Sequence, residues 1–226
     1  MQGSTKAKLF FEGQLLHFFA LAILLGAVYG ARGLAGFEAG AFLGVSTGVW
    51  ALLAIGDAIL HQIYVWFCWR TELHGGYLTR WLGSRAFALY SVLFAILIVL
   101  RPVLIFTLGW ANRGTLEINA WLGYGVSALL AAPAGYLMYS VAHYFSFRRA
   151  LGIDHFEARS GSAPLVRQGI FRITPNAMYV FGFFALWIPA FLFQSLAALV
   201  IAGFSHAYIW VHYYATEKPD MARIYG

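Results

Sequence analysis

A chain of 226 residues that is 61% hydrophobic, 11% charged and of mean hydropathy +0.71 falls outside the composition of soluble domains, in which about a quarter of the residues carry charge. The net charge of +6 does not imply nucleic acid, because the basic residues flank apolar runs, where lipid headgroups are the expected partner. The single cysteine, Cys68, excludes an intrachain disulfide, and the seven histidines show no HExxH spacing, so no metal is expected.

In chain order, residues 1–13 are polar and lack the form of a cleavable signal peptide. Six apolar spans follow, near 14–29, 41–69, 86–110, 118–147, 177–193 and 195–214, set against the roughly 20 residues that one bilayer crossing needs. The pattern predicts an all-α integral membrane protein of about six transmembrane helices, the last two forming a C-terminal hairpin. We treat 1–226 as a single membrane-embedded domain, with a three-helix part over 1–117 and a core over 118–226. Gly26, Gly30, Gly44 and Gly48 have the small-residue spacing of close helix contacts. Asp57 and His61 share one helix face, four residues apart, and Arg101 lies deep in the third span before Pro102. Ionisable groups in spans are often functional, but the first reading of these three is a pair or triad that locks helices together.

Basic residues fix the orientation. Lys6, Lys8, Arg70, Arg80, Arg85, Arg148, Arg149, Arg159, Arg167, Arg172, Lys218 and Arg223 all fall on one side of a six-span chain, against Arg32 and Arg113 on the other. By the positive-inside rule both termini and the loop after the fourth span are cytosolic. Compact size and the lack of a sorting signal favour a bacterial inner membrane over the endoplasmic reticulum.

Two polar motifs flank the hairpin, and no Asp, Glu, Lys or Arg lies from Ile173 through Thr216. The first is Leu165-Val166-Arg167-Gln168-Gly169-Ile170-Phe171-Arg172, continuing at Pro175-Asn176-Ala177-Met178-Tyr179; the second is Glu217-Lys218-Pro219-Asp220-Met221-Ala222-Arg223-Ile224-Tyr225-Gly226. A hairpin returns both to the same membrane face, where they can share one ligand. Their pattern resembles the integral-membrane methyltransferases, the family that includes isoprenylcysteine carboxyl methyltransferase and the phospholipid N-methyltransferases. That family shows a segment like LVxxGIYRxxRHPMYxG, a membrane hairpin, then EExxLxxxFG. The Glu-x-Pro and Ile-Tyr of the second motif are nearer to the phosphatidylethanolamine branch, whose Gly-x-Gly has a candidate in Gly123-Tyr124-Gly125. The family's Arg-His-Pro is Pro175-Asn176-Ala177 here, and its second Glu is Lys218.

The resemblance implies S-adenosylmethionine as cofactor, held at the cytosolic face between the fourth loop and the C-terminal helix. On that reading Phe171, Tyr179 and Tyr213 face the cationic sulfonium. Glu217 accepts from the ammonium and ribose hydroxyls, while Asn176, Arg172 and the backbone near Pro164, Leu165 and Val166 donate to the carboxylate. Met178 and Lys218 belong to the same motifs, and Gly123 and Gly125 permit close backbone approach. The implied acceptor is a membrane lipid, first the amine of phosphatidylethanolamine or its methylated derivatives, with Arg148, Arg149 and Arg159 holding its phosphate. Glu217, His155 and His212 are the candidate catalytic residues; Asp154 and His206 are further bases to consider. The competing readings are methylation of a prenylcysteine carboxylate or a small thiol, an NADPH-dependent lipid reductase, and a transporter or assembly factor. The last predicts inverted halves, which the sequence lacks.

Overall fold

The computed structural model describes residues 2–157 and 166–225. Its regular structure is helical apart from a short antiparallel hairpin, β1 (Ala41–Phe42) with β2 (Val45–Ser46). Five helical stretches are long and apolar enough to cross a membrane: Lys6–Ala31, Thr47–Gly75, Tyr77–Ala111, Ala120–Phe145 and Leu196–Tyr225. The chain is an all-α membrane protein. The expected fifth span is shorter than predicted, because its helix runs only over Met178–Leu192, roughly 22 Å at 1.5 Å per residue.

α1 (Gln2–Phe11) packs on α3 (Thr47–Gly75), where Trp66 Nε1 donates to the Phe10 carbonyl at 3.0 Å. α2 (Gln14–Ala31) buries Gln14, His17, Leu21 and Val28, a stripe at helical spacing that faces the helix Leu196–His212. Gly26 and Gly30 do not make the close contact their spacing suggested: both are exposed, and a Cβ on either would meet nothing within 4 Å. The close packing comes instead from α9 (Leu196–His212), which lies against α2, α3, α5 (Ala86–Ala111) and α8 (Phe184–Leu192). Its buried Ala197, Ala198, Ala202 and Ser205 keep the neighbouring backbones near. The resulting core is continuous across the chain, joining Leu21, Ala54 and Ile105 to Leu186, Ile201 and Tyr208.

At one end of the bundle, Asn112 satisfies several chain turns at once. Its Oδ1 accepts from Ser195 Oγ at 2.9 Å and from the Ala197 amide at 2.8 Å, while Nδ2 donates to the Gly36 and Ala39 carbonyls, each at 2.8 Å. Asn119 starts α6 (Ala120–Ser140) by accepting from the Trp121 and Leu122 amides, and Ser195 starts α9 in the same manner through the Ala198 amide.

In mid-bundle Arg101 is fully buried. It lies 3.6 Å from Asp57, donates to His61 Nδ1 at 3.1 Å and to the Ala58 carbonyl at 3.3 Å, and so ties α5 to α3. The other end of the bundle carries α1, α4 (Tyr77–Leu82), α7 (Phe147–Ala150), α10 (Lys218–Tyr225) and both polar motifs.

Candidate functional site

Three π-turns, Val141–Phe145, Met178–Gly182 and Tyr213–Glu217, lie at the motif-bearing ends of their helices. Such wide turns interrupt the regular backbone ladder and recur at functional sites. The first receives the first motif. Gly169 has φ +57°, and a Cβ there would come within 2.5 Å of Ser140 Oγ, so the position requires glycine. Ser140 Oγ accepts from the Ile170 amide at 3.1 Å, which docks the turn Gly169–Arg172 on the end of α6. Ile170 and Phe171 then bury among Leu137, Val141 and Ala177, and Val166 packs on the same cluster.

Phe171 stacks on Phe145 with centroids 4.9 Å apart. It is thus a core side chain of this cluster, apart from the aromatic pair described next. Arg172 points to the exposed surface, and Asn176 is partly buried, its carbonyl accepting from the Tyr179 and Val180 amides.

The second π-turn carries Met178 and Tyr179 towards the end of α9. The Tyr179 ring lies 5.9 Å from Trp210 and 5.5 Å from Tyr213. Tyr213 opens the third π-turn and Glu217, the first residue of the second motif, closes it, so the first motif touches the turn that leads into the second. The Glu217 Oε2 atom is buried and has no hydrogen-bond partner among the described residues, with Asp220 and Asp154 as its acidic neighbours.

His155 stacks on Trp69 with centroids 3.9 Å apart and planes at 15°, and its Nε2 lies 3.8 Å from Asp220 Oδ2. Burial, reinforced by the nearby Arg70 guanidinium, holds its pKa down to about 3, so the ring is neutral. His212 also lies near Trp69, 5.9 Å between centroids, and neither of its ring nitrogens has a hydrogen-bond partner among the described residues.

His212, Tyr179 and Trp69 line a largely apolar cavity of about 580 Å³ that also reaches His61 and Arg101. The mid-bundle triad therefore shares a cavity with the first motif, which the sequence did not place. Both α5 and α6 line it and both pack on α8, but they barely touch each other. Val99 of α5 and Met138 of α6 stand exposed at its lip. The cavity is thus open sideways, between two apolar helices.

Other candidates go elsewhere. Gly123 and Gly125 sit in the first turns of α6, at the opposite end from Ser140. A Cβ on Gly123 would lie 2.6 Å from the Phe191 carbonyl oxygen, whereas Gly125 faces open space. The former is a helix-packing position, and neither joins the motifs. Arg148 pairs with Glu157 at 3.0 Å on the exposed surface.

Arg149 donates to Tyr225 Oη at 3.0 Å, and Tyr225 donates to Asp154 at 2.6 Å, so Arg149 latches the fourth loop to α10. Lys218 is exposed, with its ammonium 5.4 Å from the Tyr214 ring. His206 accepts from Trp187 Nε1 at 3.1 Å within the hairpin. Arg159, Pro164 and Leu165 lie outside the described residues. Sequence reasoning passed over Trp69 and the buried Arg70–Asp220 pair; an arginine ending a long apolar run was their only signal.

No curated protein sequence and no solved structure matches the chain. Residues 122–226 match the model of the phospholipid methyltransferase family, so the C-terminal part of the chain carries that family's pattern across both motifs and the hairpin between them.

Proposed function

We propose that the chain is a membrane-embedded methyltransferase acting on a lipid, with S-adenosylmethionine as methyl donor and the amine of phosphatidylethanolamine or its methylated derivatives as acceptor. The observation that carries this reading is the contact of Tyr179, in the first motif, with Tyr213, which opens the turn ending at Glu217, beside a cavity open sideways. The residues present fit such a donor. Two tyrosine rings and Trp210 offer faces to a cation, and the buried Glu217 Oε2, without a partner among the described residues, offers an acceptor to its ammonium or hydroxyl groups. When bound, the donor supplies an electrophilic methyl on a sulfonium. Asn176, Met178 and Arg172 belong at its edge, with Arg172 nearest water.

The chain's own contribution is position and dryness. The cavity's apolar wall accommodates acyl chain and strips water from the acceptor. His212, unpartnered and facing that cavity, is suited to take the proton of a lipid ammonium. A carboxylate acceptor needs no such base, which favours an amine over a prenylcysteine. His155, whose pKa burial holds down to about 3, is too weak a base to share that role. A nicotinamide phosphate would need clustered free cations, yet Arg70 pairs with Asp220, Arg148 with Glu157, and Arg149 lies 3.7 Å from Asp154.

The concentration of basic residues supports a cytosolic motif end, and a bacterial inner membrane is the proposed location. In this reading residues 118–226 form the catalytic core and 1–117 its scaffold. Calorimetric titration of the detergent-purified protein with S-adenosylhomocysteine, NADPH run alongside, tests the proposal. Saturable binding of the first alone supports it; binding of NADPH alone contradicts it.

A further inference from the structure

Arg70, near the end of α3, is fully buried and bonds to three separate stretches of chain. Its Nε lies 2.9 Å from Asp220 Oδ1. Its Nη1 donates to the Leu9, Phe10 and Glu12 carbonyls at 2.6, 3.2 and 2.9 Å, and its Nη2 donates to the Ala215 and Thr216 carbonyls at 3.2 and 3.4 Å. The reason for the Nη2 contacts is written in the second motif. Pro219 has no N–H, so the Ala215 carbonyl cannot receive the bond a continuing helix would supply four residues on. The guanidinium supplies it.

Neighbouring contacts press the same two segments together. Gly13 has φ +74°, and a Cβ there would lie 2.4 Å from the Ala215 carbonyl oxygen. Gln14 Nε2 donates to Thr216 Oγ1 at 3.1 Å, and Glu12 pairs with Arg223. The α1–α2 turn, which lies outside the family match, is therefore seated on the π-turn that bears Tyr213 and Glu217.

We infer that Arg70 is a positioning residue for the methyl donor: by clamping the α1–α2 turn onto residues 213–217 it aims Tyr213 and Glu217, making the N-terminal segment part of the donor site. The inference rests on the assignment of Tyr213 and Glu217 to the donor. A buried cation is costly unless every donor is bonded, and here all five N–H groups have partners on the segments being joined. Asp220 extends the clamp to His155 and Arg223. Binding at the donor site and seating of the N-terminal turn are then linked, each strengthening the other.

Three variants test it in proteoliposomes containing phosphatidylethanolamine: Arg70→Lys, which keeps charge but loses the planar fork; Asp220→Asn; and Gly13→Ala, which pries the turns apart and alters no charge. Each is expected to raise the KM for S-adenosylmethionine and the Kd of S-adenosylhomocysteine by about tenfold or more, the scale of a small misplacement. The kcat should stay within about twofold, and the KM for lipid should not change.

A residue that only held the fold would lower the active fraction, reducing apparent kcat with KM constant. That result overturns the inference. Should Arg70→Lys not fold, Gly13→Ala gives the same reading from the opposite side of the contact. Wild-type protein that binds no S-adenosylhomocysteine defeats the donor assignment and this inference with it. Wild-type binding matched by all three variants defeats this inference alone.

Discussion

The Tyr179 and Tyr213 rings lie 5.5 Å apart, one from each side of the long uncharged hairpin. Each belongs to a π-turn, Tyr179 within Met178–Gly182 and Tyr213 at the head of Tyr213–Glu217. A regular helix through either turn would rotate its side chain onto another face. The wide turns place the first motif against the turn that leads into the second, beside the cavity that Tyr179 and His212 line.

Glu217 is the side chain on which donor recognition depends most. Among the described residues its buried Oε2 has no partner, a condition that costs stability and is relieved by a ligand that donates. Glu217→Ala is expected to abolish S-adenosylhomocysteine binding while the protein remains folded and extractable, with calorimetry and size-exclusion chromatography as the readouts. Retained binding removes Glu217 from the site.

The aromatic pair should act on the cation in particular. Tyr213→Leu removes one face, a loss of about 0.5–2 kcal/mol, or roughly two- to thirtyfold in affinity. The loss should be larger for positively charged S-adenosylmethionine than for neutral S-adenosylhomocysteine. Equal losses for both would assign Tyr213 a packing role only.

Asn176 sits at the head of the second π-turn, partly exposed, with its backbone carbonyl fixed by two amides. Asn176→Ala is expected to raise the KM for the methyl donor more than the KM for lipid. An effect confined to lipid places Asn176 against the other substrate.

The sideways cavity predicts a block that spares the cofactor. Ala95 of α5 lines it, and Ala95→Trp fills part of the volume with a rigid ring. Methylation of phosphatidylethanolamine should fall by about tenfold or more if the near-attack position is lost, with S-adenosylhomocysteine binding unchanged. Full activity in Ala95→Trp shows that the lipid does not use this cavity.

His155 gives the fold a pH dependence. Its pKa is lowered to about 3 by burial from an ordinary value of about 6.5, so the unfolded chain binds a proton that the folded one refuses. Its contribution is complete above about pH 6.5 and is lost as pH falls towards 3. The thermal midpoint of the detergent-solubilised protein should drop between about pH 7.5 and pH 5. The drop should narrow in His155→Phe, which keeps the stack on Trp69. An unchanged drop would mean that His155 is not the group responsible.

Fold class was legible because it leaves a one-dimensional trace in apolar runs of bilayer length, and the approach of Tyr179 to the turn before Glu217 follows from a hairpin between the motifs. The Asp57–His61–Arg101 lock was legible for the same reason, since ionisable groups inside spans have few partners to choose from. Depth was not. Gly123 and Gly125 share the chain's motif-bearing half but lie at the wrong end of α6, because a short motif says nothing about which end of its helix it occupies.

Arg149, read as a phosphate anchor, also meets Tyr225 and Asp154, partners that only the tertiary fold brings to it. The π-turns had no visible signature beyond Pro219, and the lateral opening depends on α5 and α6 failing to pack, a property of the assembled bundle.

Transfer of a labelled methyl group from S-adenosylmethionine to phosphatidylethanolamine, by the purified protein in vesicles, tests the central claim most directly. The account predicts label in the lipid fraction for the wild type and none above background for Glu217→Ala. Label transfer unaffected by Glu217→Ala, or no transfer by a wild type that binds S-adenosylhomocysteine, would contradict it.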